Sequence, residues 1–387
     1  LRDVAIIGVG ETRLGELWDK SLRELGIEAG LKALKDAGLK GDEVEKLYVG
    51  NMSAGKLIDQ EHIAPLIADY AGISEVPSTR VESGSASGGI ALAEGFKAVA
   101  SGMEDIVVVG GAEKMTDVGE QEAKDILSST ADQEWETVFG ATFVSLYAMM
   151  ARYHMEKYGT TKDQLAQVAV KNHSNAAKNP NAQFPREIKK EFVKNAPMVA
   201  DPLGMFDCAP ISDGAASVVL CPAERAESFH GKPVKIAGIG QGGDYMSVHE
   251  RKHICTMKAT ERAAKKAYSR AGIGPRDIDF AEVHDNYTIT EIMSIEDLGF
   301  FKKGEGGKAT EEGKTDINSH IPINTSGGLK AKGRPVGAVG LNQAVEAVLQ
   351  LREDAGERQV NEPRYGLIHN IGGTGASSIV HILKRWS

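Results

Sequence analysis

Cysteine is scarce in this 387-residue sequence: Cys208, Cys221 and Cys255 are the only three, and none forms a CxxC pair. An odd, dispersed set excludes a disulfide framework and a cysteine-built zinc site, and no metal is expected. Aromatic residues make up only 6% of the chain, and no apolar run approaches the ~20 residues that a bilayer-spanning helix needs. Positive charge is in deficit, with a formal net charge of −9, which argues against a nucleic-acid partner. The opening LRDVAIIGVGETRLGE turns polar after a short apolar stretch, unlike a secretory signal. Together these absences lead to the expectation of a soluble protein of a reducing compartment, placed in the cytoplasm.

What is present is an alternation of β-branched apolar runs with helical patterns, the signature of an α/β fold. Strands are expected at VAIIGVG (4–10), KLYVGN (46–51), DIVVVGG (105–111), ASVVLC (216–221), VKIAGIG (234–240), FAEVHD (280–285), YGLIHN (365–370) and SSIVHIL (377–383). The runs repeat in order. VAIIGVG parallels VKIAGIG, ALKDAGLKGDEVEKLYVGN parallels AYSRAGIGPRDIDFAEVHD, and DGAASVVLC parallels TGASSIVHI. Three matches in one order indicate two duplicated halves. The repeat divides the chain into a first half (1–115 and 201–230), an inserted loop or cap domain (116–200) and a second half (231–387). The continuously apolar IVVVGG run reads as a strand buried on both faces and set at a contact between two copies of the chain.

Four small-residue turns, each tied to a strand, are candidates for a shared site. GVGETRLG is not one of them, because its glycines (Gly8, Gly10, Gly15) miss the dinucleotide spacing. VESGSASGG places Ser85 ahead of an apolar helix, where it is either an N-cap or a side chain exposed to helix amides. EVHDNYTITE offers His284 and Asn286 at a strand end. NTSGGLKAKGRPVGAVG interleaves Ser326 and Gly327 with the cations Lys330, Lys332 and Arg334, suited to phosphate or carboxylate. LIHNIGGTGAS sets His369 beside Gly372 and Gly373, whose amides could face an oxyanion.

With these motifs, and with FDCAPISDGAASVVL and YAMMARYHMEKYGTT, the whole chain resembles the thiolase superfamily, in particular its archaeal and sterol-carrier-protein-type members. The resemblance implies two βαβαβαββ halves with mixed sheets in an α/β/α/β/α layering, a loop domain, and a homodimer. It implies acyl exchange with coenzyme A, with the coenzyme A thioester as substrate and no resident cofactor. A small zinc-ribbon/OB-fold partner protein is a further expectation, since some members of the group work with one.

The departures fall on the chemistry. The family carries cysteine where this chain has Ser85, the activating histidine where it has Arg334, and often a cysteine acid/base where it has Asn286. His284 and His369 are kept, and with Gly372 and Gly373 they match the parts that hold the thioester oxygen. A thiol suits acyl exchange because a helix N-terminus readily makes it a thiolate, whereas a serine needs a base and Arg334 cannot supply one. Three readings follow: a thiolase-like C-acyltransferase with serine, native or engineered, at the nucleophile position and a carboxylated substrate read by Arg334; a retro-aldol carbon–carbon lyase on acyl-CoA, with Tyr287 as acid/base; and a non-catalytic acyl-CoA-binding subunit.

Overall fold

The computed structural model describes residues 1–386. In chain order it runs β1 (Val4–Glu11), α1 (Leu22–Ala37), β2 (Lys46–Gly50), α2 (Ala54–Leu57), α3 (Ile63–Tyr70), β3 (Ser78–Val81), α4 (Ser87–Ser101) and β4 (Val107–Glu113). Helices α5 (Glu120–Ser128), α6 (Phe143–Tyr158), α7 (Lys162–Ala176) and α8 (Lys190–Lys194) follow, then β5 (Met198–Ala200) and β6 (Leu203–Gly204). The chain returns to the sheet with β7 (Gly214–Pro222) and continues through β8 (Val234–Gly243), α9 (Lys258–Ala271) and β9 (Phe280–Glu282). It ends with α10 (Thr288–Asp297), α11 (Gly306–Glu311), α12 (Val339–Arg352), β10 (Tyr365–Gly372) and β11 (Ser377–Arg385). Every strand expected from the sequence is present.

Strand order is β3-β2-β4-β7-β1-β8-β11-β10-β9, with parallel pairs toward each outer edge and antiparallel pairs toward the centre. Outward from the β1–β8 seam the two sides match: β8, β11, β10 and β9 mirror β1, β7, β4 and β2, and β3 adds one further edge strand to the first half. Alternation along β1 sends Val4 and Ile6 to one face and Ala5 and Ile7 to the other, as a strand buried on both faces requires. The first face meets a central core containing α4, α12 and strands of both halves, and the second meets α1 and α3. The second half packs its outer face on α9 and α10. The result is the expected α/β/α/β/α layering. Among the described residues, no helix is long and apolar enough to cross a membrane.

The repeat has a physical cause at its glycines. α1 and α9 end on Gly38 and Gly272, both left-handed (φ 73° and 69°), the conformation that closes a helix cheaply only with glycine. A Cβ at Gly8 would stand 2.2 Å from the Ala33 carbonyl oxygen, and one at Gly240 would stand 1.9 Å from that of Ala263. The GxG pattern of each first strand therefore serves close helix–strand packing.

One expectation is corrected. The IVVVGG strand, β4, is hydrogen-bonded to β2 on one side and β7 on the other, so it has no free edge to offer another copy. Its apolar run reflects burial on both faces inside one chain. In the first half the free edge belongs to β3.

The central layer depends on α4 and α12 touching backbone to backbone. A Cβ at Gly88 would lie 2.7 Å from the Gly337 carbonyl oxygen, and one at Gly340 would lie 2.3 Å from the Gly89 nitrogen. Gly340→Ala must push the helices apart and should destabilise the protein by about 3 kcal/mol, the upper range for overpacking. Chemical denaturation checks this, and an unchanged midpoint would contradict the contact.

Candidate active site

Close approach of α4 and α12 puts the turns that precede them, 82–86 and 333–338, at the same end of the central layer. Ser85 lies in the first. The N-cap of α4 is Ala86, and the polar bonds of the turn belong to Ser87, whose Oγ accepts from Ser83 N (2.9 Å) and donates to Gly84 O (2.6 Å). Ser85 is 4% exposed and its Oγ has no hydrogen-bonded partner among the described residues. The capping reading of Ser85 thus falls.

The turn after β10 closes against it. A Cβ on Gly84 would lie 3.1 Å from Gly373 N, and one on Gly372 would lie 2.5 Å from Ser83 O. Tyr147 of α6 donates its hydroxyl to Gly373 O (2.9 Å), and its ring lies 4.8 Å from that of Tyr287. Asn286 approaches the Tyr147 hydroxyl, yet neither its amide oxygen nor its nitrogen completes a well-aligned hydrogen bond.

His284 is sealed, with both ring nitrogens unpartnered. Burial, then the nearby His369 and Arg334, hold it neutral, well below the usual histidine range. His369 is tied through Nε2 to Thr260 Oγ1 (3.0 Å) and Ser378 Oγ (3.1 Å), and burial lowers it to about 3. Arg334 is 3% exposed, and its Nε and Nη1 have no partner. Burial pulls the guanidinium below its ordinary value, opposed by Tyr287, Tyr147, Cys208 and Asp285, none of them in an ion pair with it. Sealed polar groups in native proteins are rarely left unpaired, so a cluster of three such residues marks a place for a ligand.

Other sequence candidates support this cluster from behind. Ser326 donates to Glu282 Oε2 (2.5 Å), and a Cβ on Gly327 would strike Ala176. Lys332 is bound to Glu11 (2.9 Å) and the Asn342 carbonyl (3.2 Å). Lys330 extends from the same turn toward Phe206. Two supports escaped the sequence reading. Asp285 accepts from Leu329 N (2.7 Å) and Lys330 N (3.1 Å) and so fixes the glycine-rich turn. Glu113, which burial raises to about 7, accepts from Gly337 N (2.9 Å) and Met52 N (2.8 Å) and so pins the Arg334 turn to the end of β2. Tyr147 and Cys208 were also missed at the cleft itself, where burial pushes them up to about 12 and about 11.

The Lys332–Glu11 pair gives a direct test of role. Removing one partner of a buried pair strands the other charge, so Lys332→Met should cost about 3 kcal/mol in denaturant melts, even with Asn181 and Asn342 donating to Glu11. Weakened acyl-CoA binding at unchanged stability would instead put Lys332 against the ligand.

Comparison with known proteins agrees with this architecture. A family model described as thiolase, N-terminal domain, matches residues 4–224, and one described as thiolase C-terminal domain-like matches 240–385. An acetyl-CoA acetyltransferase of Methanothermobacter thermautotrophicus is 54% identical over 385 residues, covering 100% of both chains. The benzoylsuccinyl-CoA thiolase subunit BbsB of Thauera aromatica is 35% identical, over 96% of this chain and 95% of its own. Among solved structures, an Ltp2-ChsH2(DUF35) aldolase superposes with a TM-score of 0.86 at 29% identity, over 99% of this chain and 98% of that one. An acetyl-CoA acetyltransferase from Syntrophomonas wolfei, 20% identical, shares the fold with a TM-score of 0.77 over 100% and 99%. The chain belongs to the thiolase family of acyl-CoA acyltransferases.

Proposed function

We propose that the protein makes or cleaves a 3-oxoacyl-CoA whose acyl group carries a carboxylate, as a thiolase-like C-acyltransferase with Ser85 at the nucleophile position. The observation that carries this reading is Arg334: a guanidinium sealed in the site with Nε and Nη1 unpartnered. An isolated buried charge costs several kcal/mol, and a ligand carboxylate held bidentately offsets that cost. His284, a neutral ring with free nitrogens, and the amides near Ile371 to Gly373 are the donors for a thioester oxyanion. Ser85 at the head of α4 has helix amides before it but no base beside it, so its acylation is slower than a cysteine's would be. The proposed working form is a cytoplasmic homodimer, with coenzyme A thioester as substrate and no bound cofactor. The DUF35 component named with the aldolase neighbour supports a small zinc-ribbon/OB-fold partner.

A second reading, retro-aldol cleavage of an acyl-CoA, is favoured by that same neighbour and by the lack of a base at Ser85. Burial raises the Tyr147 and Tyr287 hydroxyls, so near neutrality they are proton donors rather than bases. Mass spectrometry separates the two readings. C-acyltransfer leaves an acyl group on Ser85, and more rapidly on Ser85→Cys. Cleavage with no adduct on either would favour the lyase.

Arg334→Ala should weaken binding of carboxylated acyl-CoAs by about 2 kcal/mol, roughly thirtyfold, while leaving neutral ones unchanged. Equal weakening of both would assign Arg334 to coenzyme A phosphate. In a Ser85→Cys background, His284→Ala should lower turnover about 100- to 1,000-fold, the usual cost of losing one oxyanion donor. A change below about threefold would remove His284 from the reaction.

A further inference from the structure

Among the described residues four arginines are buried. Arg352 is paired with Asp36 and Arg358 with Glu346, while Arg334 enters the candidate site. The fourth, Arg251, is 6% exposed, and its side-chain hydrogen bonds all end on carbonyl or hydroxyl oxygens. Nη1 donates to Thr374 O (2.7 Å) and Nη2 to Thr374 Oγ1 (3.2 Å), while Nε and Nη2 both reach Tyr245 O (3.2 and 2.9 Å). We infer that Arg251 is a positioning residue for the thioester oxyanion: it holds the turn after β10 from behind, and its charge strengthens the Gly373 N–H at the front. This rests on the reading above, in which amides near Ile371 to Gly373 receive the thioester oxygen.

The connection runs through two peptide units. In a trans peptide the C=O and the N–H point opposite ways, so fixing one aims the other. Arg251 fixes the carbonyl of Thr374, and the N–H of that same peptide, on Gly375, donates to Gly372 O (3.1 Å). The Gly372 carbonyl is in turn the back of the peptide whose N–H belongs to Gly373. That nitrogen lies against the Ser85 turn, 3.1 Å from where a Cβ on Gly84 would stand. Among the described residues its N–H has no acceptor. Between the two units, Gly373 O accepts from the Tyr147 hydroxyl (2.9 Å). Three successive carbonyls are thus held by donors behind the turn.

This turn needs such anchors, because Gly372, Gly373 and Gly375 leave its backbone soft, with φ at 57° for Gly373 and 107° for Gly375. A neutral donor could supply an anchor. A guanidinium does more, since a bond from a charged donor is about twice as strong as a neutral one and each bond in a chain polarises the next. Density drawn toward Thr374 O makes the Gly375 N–H a better donor. The same effect passes through Gly372 O and ends on the Gly373 N–H. No carboxylate touches Arg251 to cancel this field, and Asp244 and Glu136 act on it only from a distance. The anchor is itself tied to the inserted segment, where Asp132 accepts from Ser247 Oγ (2.6 Å) and Glu136 from Val248 N (2.5 Å).

The test is the carbonyl stretch of carbonyl-labelled acetyl-CoA bound to the intact chain, read by isotope-edited infrared difference spectroscopy. Hydrogen bonds to the thioester oxygen lower that frequency relative to free acetyl-CoA. Arg251→Gln keeps a donor for Thr374 but removes the charge, so it should lose about half of the shift while calorimetric affinity for acetyl-CoA changes less than about threefold. Arg251→Lys keeps the charge and should retain most of the shift. In the Ser85→Cys background, acetyl transfer to the introduced thiol should slow about tenfold with Arg251→Gln, at an unchanged half-saturating concentration, and recover with Arg251→Lys. An undiminished shift and rate in Arg251→Gln, or equal losses in both variants, overturns the proposal. Should Arg251→Gln fail to fold, Arg251→Lys decides: a retained shift supports the proposal, and a lost shift in the folded variant overturns it. The native protein tells which reading has failed. Acetyl-CoA bound there with an unshifted carbonyl removes the oxyanion reading itself, whereas a native shift that survives Arg251→Gln removes only the role of Arg251.

Discussion

Everything at the candidate site depends on two helices meeting without side chains between them. Gly88 and Gly89 of α4 face Gly340 of α12 and Gly337 just ahead of it, at distances that admit no Cβ. Separated by ordinary residues, the same helices would sit several ångströms further apart. The Ser85 and Arg334 turns would then no longer share one end of the layer. Because the halves are duplicates, these turns occupy equivalent places in each, and the near-symmetric packing brings them face to face. The outer layers repeat the device, with strand glycines drawing α1 and α9 onto the sheet.

The site gathered there has an unusual electrical character. Its histidines are neutral and its tyrosines protonated, while one guanidinium remains charged with no counter-ion. Such a cavity is poorly equipped to remove protons and well equipped to receive negative charge. Where a base would compete for hydrogen ions, Arg334 holds a fixed positive potential at any physiological pH. The buried acids nearby are occupied elsewhere: Asp285 and Glu113 each receive backbone amides and serve to hold turns in place.

Much of this was readable from residues alone, for a definite reason. Period-two apolar runs and Ala-Gly helix ends are local signals, so the strands and the duplication were legible. Ser85 illustrates the limit. Serine before an apolar helix fits a cap as well as a nucleophile, and only the actual bonds, made by Ser87, separate the two. Lys330 and Lys332 looked alike in sequence, yet Lys332 pairs with Glu11 from the far end of the chain. The β4 run was misplaced because burial by one's own sheet and burial by a partner leave the same apolar pattern. Tyr147 and Cys208 lie inside the motifs YAMMARYHMEKYGTT and FDCAPISDGAASVVL, yet their place at the cleft was not legible, since it depends on how the segment between β4 and β7 folds over the second half.

The seam between the halves has one more implication. β1 and β8 are joined through only two residue pairs, Ala5 with Lys235 and Ile6 with Val234. The hydrogen-bonded ladder is therefore a weak hinge, and cohesion comes from α4 and α12, each covered by strands of both halves. Separated, each half would present a bare apolar helix and a raw strand edge to water. A single unit of this kind could cover that helix and edge only against another like it, and here the second half fills that place.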